Sequence, residues 1–466
     1  MSRYCDAIDW MFWSVLVLAA GWSWCRFQWN RRLPGFLTAF LVGVPSLAVV
    51  VVGLRLAWVA PLAIVQDIVA ARQFLRGEPL PTTGIQPLVK EALSSEPRPT
   101  SLELTWPWLA AAWPALVEQE QQEYDRIPSL IEVQAHPPFA TMFVVPFVYA
   151  LGVYGTSIAI SLLSVACVVA ALAVLNGRLQ LNLSVSQKIL ASSVLLAWYP
   201  MFEVLSHGQL GALLGLLVVV GWYGIRQGQP LLAGFAISLK LFPALLLLYL
   251  LMRHRLAFTA GVVTVIAFNA VSVAVFGLQS YLDYVHTARF VAGNWVDTPQ
   301  NWSLFTAVRR FGDILSIPAL SSRVALLAIA MLLVAAIALF VVARRKSCPR
   351  IDFEYSLFVI AMILLSPNCW SHYFVILLLP LAVLANQALR RGGASSLAFL
   401  GLFLVLAVPD HYSMDVVPFV RRHFDQRVGM ALLLLPCLAL LGAMIWLAAL
   451  GRTLPSVRDE PKPSYL

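Results

Sequence analysis

Residues 156–175 read TSIAISLLSVACVVAALAVL and contain no charged side chain. A helix needs about 20 such residues to cross the hydrocarbon core of a bilayer. Comparable apolar runs recur along the chain of 466 residues, of which 60% are hydrophobic and only 12% are charged. Because a water-soluble fold needs a polar exterior, this composition predicts an all-α, polytopic membrane protein.

The apolar runs predict roughly eleven to thirteen membrane segments within a single domain over residues 1–466. The first run, 8–25, is expected to be a retained span, because no small-residue cleavage site follows it. The polar tail, 452–466, is expected to be disordered in the cytoplasm. The other predicted segments lie at 36–60, 139–151, 156–175, 189–205, 210–225, 230–252, 256–276, 321–343, 353–366, 373–388, 395–408 and 429–450.

The charges are distributed unevenly between the connecting segments. The long segment after the second run, 78–135, holds nine Asp or Glu residues but only Lys90, Arg98 and Arg126 as cations, so we expect an extracytoplasmic loop there. Most other basic residues lie in short connections. The net charge of +9 is therefore explained by the excess of cations in cytoplasmic loops, and no nucleic-acid partner is expected.

The run at 230–252 has cations on both sides, Arg226 before it and Arg253 and Arg255 after it. A single crossing would place one basic cluster outside. A re-entrant hairpin broken at residues 240–243, KLFP, would keep both clusters inside, and proline favours such a break.

Few polar residues lie at membrane depth or at the ends of spans, and such residues are functional candidates by default. In the predicted topology, most of them gather at the outer face, with Lys240 at the tip of the hairpin. They are Asp67, His207, Gln209, Lys240, Asn301, Arg309, Asn368 and His372.

Each of these residues also has a structural explanation. Asp67 could cap a helix N-terminus, a position that favours Asp. Lys240 could extend its ammonium to a lipid headgroup, and His372 could be an interfacial histidine. Gln209 and Asn301 could satisfy backbone groups at helix ends.

No metal or cofactor is expected from the sequence. The six cysteines are scattered and form no CxxC pair, so neither disulfides nor a metal cluster are predicted. The chain also lacks a convincing DxD or P-loop pattern, so nothing indicates a metal-bound nucleotide sugar.

Several motifs over residues 60–390 together resemble a known family. An aspartate at the outer end of an early span, in QDIVAARQFLRG (66–77), is followed by a long loop. The motifs after the loop are PPFATMFVVPF (137–147), GQLGALLGLL (208–217), AGFAISLKLFP (233–243), NWSLFTAVRR (301–310) and SPNCWSHYFVILLLP (366–380). Their order and spacing resemble glycosyltransferase family 87, the polyprenol-phosphate-mannose-dependent mannosyltransferases with the GT-C fold.

The resemblance implies an inverting hexosyltransferase of the inner or plasma membrane, with its active site at the extracytoplasmic face. Its partners would be a polyprenyl-phosphate sugar donor, a lipid- or glycan-linked acceptor hydroxyl and the surrounding membrane lipids. The best-known sugar of the family is mannose. Asp67 would be the catalytic base.

The anionic leaving phosphate needs cations more than a proton, and the candidates for that role are Lys240, His372 and Arg72. Substrate binding is assigned to Gln209, Asn301 and His136.

Two alternatives remain open at the level of sequence. A transporter or lipid-linked-sugar flippase would also be polytopic, and such folds often have paired broken helices in two repeated halves. Here only the 230–252 segment is evidently broken, and the long outer loop has no counterpart. The second alternative is a scaffold without catalytic activity.

Overall fold

The computed structural model describes most of the chain. It covers residues 35–59, 63–81, 83–97, 131–227, 233–296, 298–343, 351–407 and 426–453, and also residues 111, 124–125, 127–128, 420 and 422–423. The first predicted span, 8–25, and the tail from residue 454 onward lie outside the described residues.

Helices build almost all of the described structure, which contains no strand and only an isolated bridge between Thr83 and Val133. In chain order the helices are α1 (Gly35–Val59), α2 (Val65–Leu75), α3 (Gln86–Ser94), α4 (Pro138–Arg178), α5 (Val185–Leu196), α6 (Tyr199–His207), α7 (Gly211–Arg226), α8 (Ala233–Leu239), α9 (Leu245–Arg253), α10 (Arg255–Phe276), α11 (Leu278–Asn294), α12 (Leu304–Leu315), α13 (Arg323–Ala343), α14 (Ile351–Leu364), α15 (Leu378–Arg391), α16 (Gly393–Val405), α17 (Gln426–Leu432) and α18 (Leu435–Thr453). Short 3₁₀ segments lie at Phe242–Ala244, Pro318–Ser321 and Ser371–Leu377.

Four of the described helical units are long and apolar enough to cross a membrane: α4, α10, α13 and the continuous unit Ser371–Arg391. The bent pair α5–α6 makes a fifth if it is one span. Shorter apolar helices accompany them, among them α7, α16 and α18. The predicted all-α polytopic membrane fold is confirmed, whereas the number of membrane segments stays a prediction.

Helix α7 packs against α4, α8, α14 and the Ser371–Leu377 segment. Its glycines allow this close contact. A Cβ atom at Gly211 would lie 3.0 Å from the carbonyl oxygen of His372, and one at Gly215 would lie 3.0 Å from that of Val375. The Ser371–Leu377 segment therefore lies directly on the backbone of α7, which fixes the position of His372.

Two ion pairs, one half-buried and one buried, lie at the end of the bundle where α7 ends. Arg226 at the end of α7 lies 3.3 Å from Asp352, and Arg253 at the end of α9 lies 2.6 Å from Glu354. Both acids belong to the first turn of α14. The two flanks of the predicted hairpin thus lie at the same end of the bundle, as the re-entrant hypothesis requires, and the helices are interrupted at Lys240–Leu241.

Helix α4 is broken at Gly152, between the predicted segments 139–151 and 156–175. Gly152 has φ 69° and ψ −163°, a conformation open almost only to glycine. The next amide, that of Val153, donates hydrogen bonds to both carboxylate oxygens of Glu96 at 3.0 and 2.9 Å. Glu96, in the loop after α3, therefore caps the second half of α4, and a Cβ at Gly152 would lie 2.7 Å from its oxygens.

Gly152→Ala is expected to destabilise the protein by about 1–3 kcal/mol, because alanine is strained in this conformation and its methyl would displace Glu96. The measurement is thermal unfolding of the purified protein in detergent. Gly177→Ala is the matched control, since the space around Gly177 is open and its φ is ordinary. Equal melting temperatures for the two variants would show that the break is unstrained.

Two predicted segments differ from the structure. The run 189–205 is not one straight span, because α5 and α6 meet at 63°. Pro200, in the first turn of α6, explains the bend: it has no N–H to donate and its ring clashes with a preceding carbonyl. The outer segment 278–303 is mostly the helix α11 rather than a loop, with Leu278 and Phe290 among its exposed apolar residues.

Candidate active site

Asp67 lies in the first turn of α2, a helix that is buried along almost its whole length. Its side chain has no exposed surface. One carboxylate oxygen accepts a hydrogen bond from Gln134 Nε2 at 2.9 Å, and the other lies 2.6 Å from His136 Nδ1. Both oxygens of this buried carboxylate are therefore engaged by polar side chains.

The segment that leads into α4 presents these two partners. Residues 131–137 are not helical, and in extended backbone alternate side chains point to the same side. Gln134 and His136 therefore face Asp67 together, while the amide of Ala135 donates to Gln66 Oε1 at 2.8 Å. Gln134 Nε2 also reaches Thr141 Oγ1 at 3.1 Å, which ties the segment to α4.

The helix-cap explanation of Asp67 is wrong. The residue at the N-cap of α2 is Ile64, and no side chain caps this helix. The carboxylate of Asp67, two positions inside the helix, is used entirely for tertiary contacts with residues about seventy positions later in the chain.

Lys240 lies at the break between α8 and the Phe242–Ala244 segment and is 5% exposed. Its ammonium donates to the Tyr373 hydroxyl at 3.2 Å and lies 4.5 Å from the centre of that ring. The ammonium is also within electrostatic range of the Asp67 carboxylate. Since Lys240 is buried among protein groups, it does not simply extend to a lipid headgroup.

His372, on the Ser371–Leu377 segment, is 7% exposed. Its Nε2 is buried, none of the described residues hydrogen bonds it, and its ring meets the edge of Tyr373. His372 interacts electrostatically with Lys240, His207 and His136. An unpartnered buried nitrogen is costly in a resting protein and is typical of a group that a ligand satisfies.

Tyr284 on α11 is half-buried and close enough to Tyr373 to interact with it electrostatically. Burial raises the pKa of the Tyr284 phenol to about 12, with Tyr281 as the lesser cause. The hydroxyl therefore stays neutral and can donate a hydrogen bond at this side of the cluster.

Arg72 was predicted to bind the donor phosphate, but the structure holds it elsewhere. Its guanidinium donates to the carbonyl of Ala92 and to Ser95, and it lies 3.8 Å from Glu96. Five positions after Asp67, it points to the other side of α2 and anchors the end of α3. The physical reason is helical periodicity, and Arg72 is dropped from the site.

Asn301 was predicted to bind substrate, but its amide is fully used inside the protein. Its Nδ2 donates to the carbonyls of Trp295 and Pro367, and its Oδ1 accepts from the amides of Ser303 and Cys369. The side chain has no exposed surface. Asn301 therefore joins the α11–α12 connection to the residues before His372, and it indirectly positions that histidine.

Gln209 lies near the start of α7 and is 7% exposed. Its side-chain oxygen is buried and has no hydrogen-bond partner in the described part of the chain, so it remains available to a ligand as an acceptor. The carbonyl of the neighbouring His207 accepts the amides of Ala63 and Ile64 at 3.2 and 3.1 Å. This contact holds the entry to the Asp67 helix against the polar break after α6.

The sequence did not identify Gln134, Tyr373 or Glu203. Glu203 on α6 is 3% exposed and accepts a hydrogen bond from Ser371, next to His372. A carboxylate inside the apolar run YPMFEVL (199–205) is itself a signal of this kind of site. Gln134 carries no such signal, since its role depends on a contact with a distant helix.

Among the described residues there is no cluster of three or more His, Cys, Asp or Glu side chains placed to hold a metal ion. The nearest approach to one is the Asp67–His136 pair, with His207 and His372 further out. Around Asp67 the described residues bring together one ammonium and several imidazoles, with the Glu203 carboxylate further out, beside Ser371.

Comparisons with known proteins give a family for this geometry. Residues 135–367 match glycosyltransferase family 87. No curated protein and no solved structure matches the chain significantly. The matched region contains His136, Gln209, Lys240 and Asn301, but it begins after Asp67 and ends before His372. Because the match covers half of the chain and agrees with the resemblance seen in its motifs, the chain belongs to glycosyltransferase family 87.

Proposed function

We propose that this membrane glycosyltransferase moves a hexose, with mannose as the first candidate, from a polyprenyl-phosphate donor to the hydroxyl of a lipid- or glycan-linked acceptor. The observation that carries the proposal is the meeting of the buried Asp67 anion with the ammonium of Lys240 and the unpartnered Nε2 of His372. A base beside a cation, with a further polar group to hold the phosphate, is the combination that transfer from a sugar phosphate needs.

Lys240 and His372 are suited to the donor phosphate. When the glycosidic bond breaks, negative charge grows on the phosphate oxygen, and groups already aimed at that charge lower the barrier. Lys240 supplies a fixed positive charge inside the protein, and His372 supplies a nitrogen that needs a partner. Neither group has to give up a strong ion pair to do so.

An inverting displacement fits a site with one activated base. The acceptor oxygen attacks the anomeric carbon from the face opposite the phosphate, so a single carboxylate–histidine pair on one side and the cations on the other suffice. A retaining reaction through a covalent intermediate would need a nucleophile placed against the sugar. The Asp67 oxygens are instead engaged by Gln134 and His136.

The basic end of the bundle supports an extracytoplasmic site. Arg226 donates to the carbonyl of Arg178, and Asn386, one turn before Arg390 and Arg391, donates to the carbonyl of Leu179. These cations lie together at the end of α7, about 24 Å from its start beside the site. Since cations concentrate on the cytoplasmic side, Asp67 would face the opposite side.

The transporter alternative expects two broken helices that face one another, whereas Lys240, at the break after α8, contacts Tyr373 on the continuous unit Ser371–Arg391. The family assignment favours the transferase, and the buried Asp67–His136 pair has an obvious use in catalysis. A broken element that lines a substrate site is compatible with either activity.

The test is transfer by the purified protein in detergent. Polyprenyl-phosphate-linked radiolabelled mannose, glucose and arabinose are supplied separately with a total membrane-lipid extract, and the labelled products are identified by mass spectrometry. Transfer from at least one donor is expected. Absence of transfer from all three, by folded protein, would contradict the proposal.

Lys240→Met is expected to raise the KM for the donor by about 10–100-fold, because a hydrogen bond to a charged group contributes roughly 1.5–3 kcal/mol. The measurement is the dependence of the initial transfer rate on donor concentration. Lys188→Met, at an exposed lysine at the start of α5, is the matched control. An unchanged donor KM in Lys240→Met would remove Lys240 from the donor site.

A further inference from the structure

The structure points to His136, through Nε2, as the group that takes the proton from the acceptor hydroxyl, while Asp67 orients and charges the imidazole from behind. This inference rests on the proposed transferase function and refines the role of its base. It follows from access, from the hydrogen-bond direction and from the neighbouring charges.

His136 and Asp67 differ in how easily an acceptor hydroxyl can reach them. A general base must come within hydrogen-bond distance of the proton that it removes. The Asp67 side chain is 0% exposed, whereas His136 keeps 9% of its side chain exposed. Gln134 and His136 cover the carboxylate, so an acceptor hydroxyl reaches Asp67 only if one of them is displaced. His136 can be reached without any such movement.

The hydrogen bond to Asp67 also fixes the form of the ring. An ionised carboxylate only accepts hydrogen bonds, so Nδ1 carries the hydrogen and Nε2 carries the free lone pair. None of the described residues hydrogen bonds Nε2, and this atom is not fully buried. A neutral imidazole with Nδ1 anchored on a buried aspartate and Nε2 open is the arrangement of a histidine base.

In the proposed step, the acceptor O–H bond breaks and its proton moves to His136 Nε2, while the acceptor oxygen forms a bond to the anomeric carbon. The bond from that carbon to the phosphate oxygen breaks, and its electron pair stays on the polyprenyl phosphate. The imidazolium that results is stabilised by the Asp67 carboxylate, and its proton is later released to water.

The charges around His136 are consistent with this role. Asp67 on α2 faces it directly, and His372 lies within electrostatic range of it. Lys240 and His207 complete the set that interacts with His372. The one anion of the set touches the ring itself, so the positive charge that develops on the imidazole has its counter-ion in place.

His136→Asn separates the two roles of the histidine. The amide nitrogen of asparagine takes the place of Nδ1 and can still donate to Asp67, but nothing replaces Nε2. We expect kcat to fall by about 100–10,000-fold with the donor KM unchanged. His286→Asn, at an exposed histidine of α11, is the matched control and should keep the wild-type rate.

A second variant and a second nucleophile test whether the loss of activity comes only from a disturbed structure. His136→Gln places an amide at the ε position and should lose kcat as well. Azide, which attacks without losing a proton, should still form a glycosyl azide from the same donor in both variants. This rescue shows that the donor site is intact.

The outcomes distinguish a failure of His136 as the base from a failure of the proposed transferase function. If the wild type transfers sugar and His136→Asn keeps kcat within about 10-fold, Asp67 is the base and the inference fails. The same conclusion follows if azide does not rescue the variants. If the wild type uses no polyprenyl-phosphate donor, the proposed function fails, and the inference fails with it.

Discussion

Asp67→Asn is expected to lower the rate of sugar transfer by at least about 100-fold, because His136, the proposed base, loses the carboxylate that orients its ring and stabilises its positive charge. The change removes the acidic group that interacts with Lys240, His136 and Gln134. The amide NH₂ of asparagine also faces one of the two groups that donate hydrogen bonds to Asp67, so the pairing that orients the imidazole of His136 is disturbed. The measurement is kcat for transfer from the donor that the wild type uses.

The matched control is Asp313→Asn, at an exposed aspartate near the end of α12. It should transfer at the wild-type rate. A thermal melt of both variants separates loss of chemistry from loss of fold, since an unsatisfied buried donor costs about 1–3 kcal/mol in stability. An Asp67→Asn protein that transfers sugar at the wild-type rate would exclude this carboxylate from the reaction.

Arg253→Met is expected to have the largest effect on stability, about 3–5 kcal/mol. Arg253 and Glu354 form a bidentate pair at 2.9 and 2.6 Å, with side chains 6% and 3% exposed. The same guanidinium donates to the carbonyl of Val341 at 2.7 Å, which ties α9 to α13 and α14. Removing the arginine takes this bidentate counter-ion away from a buried carboxylate.

The double variant Arg253→Met/Glu354→Met tests this explanation, because removing both charges should recover most of the stability. Arg255→Met, two residues away and exposed, serves as the control for loss of a cation alone. The measurement is thermal unfolding in detergent. If the double variant is no more stable than Arg253→Met, the loss comes from packing rather than from the unpaired charge.

The sequence could predict those site residues that are polar and lie inside or directly after an apolar run. Asp67 follows a long apolar run, Lys240 stands before a proline inside another, and His372 follows the break SPNCW (366–370). A charge or a ring nitrogen at such a place is costly unless it has a use. The structure brings all three together.

The contacts of these residues could not be predicted from the sequence, because they form between segments that are distant in the chain. Gln134 and His136 meet Asp67 only when the extended segment docks on α2, some seventy residues away in the chain. Asn301 was predicted to bind substrate because the sequence does not reveal the four hydrogen bonds that its amide makes inside the protein. Arg72 could be assigned to the phosphate only while the position of α3 was unknown.

The cap that Glu96 places on the broken helix α4 also bears on how substrates arrive. If the segment carrying Glu96 lifted away as a lid, the amide of Val153 would lose both of its acceptors in apolar surroundings, at a cost of about 1–3 kcal/mol. Arg72 would lose its anchors at the same time. The segment that carries Glu96 is therefore held against α2 and α4, and the proposed lipid-linked substrates would enter at less cost from the bilayer side than by lifting this segment.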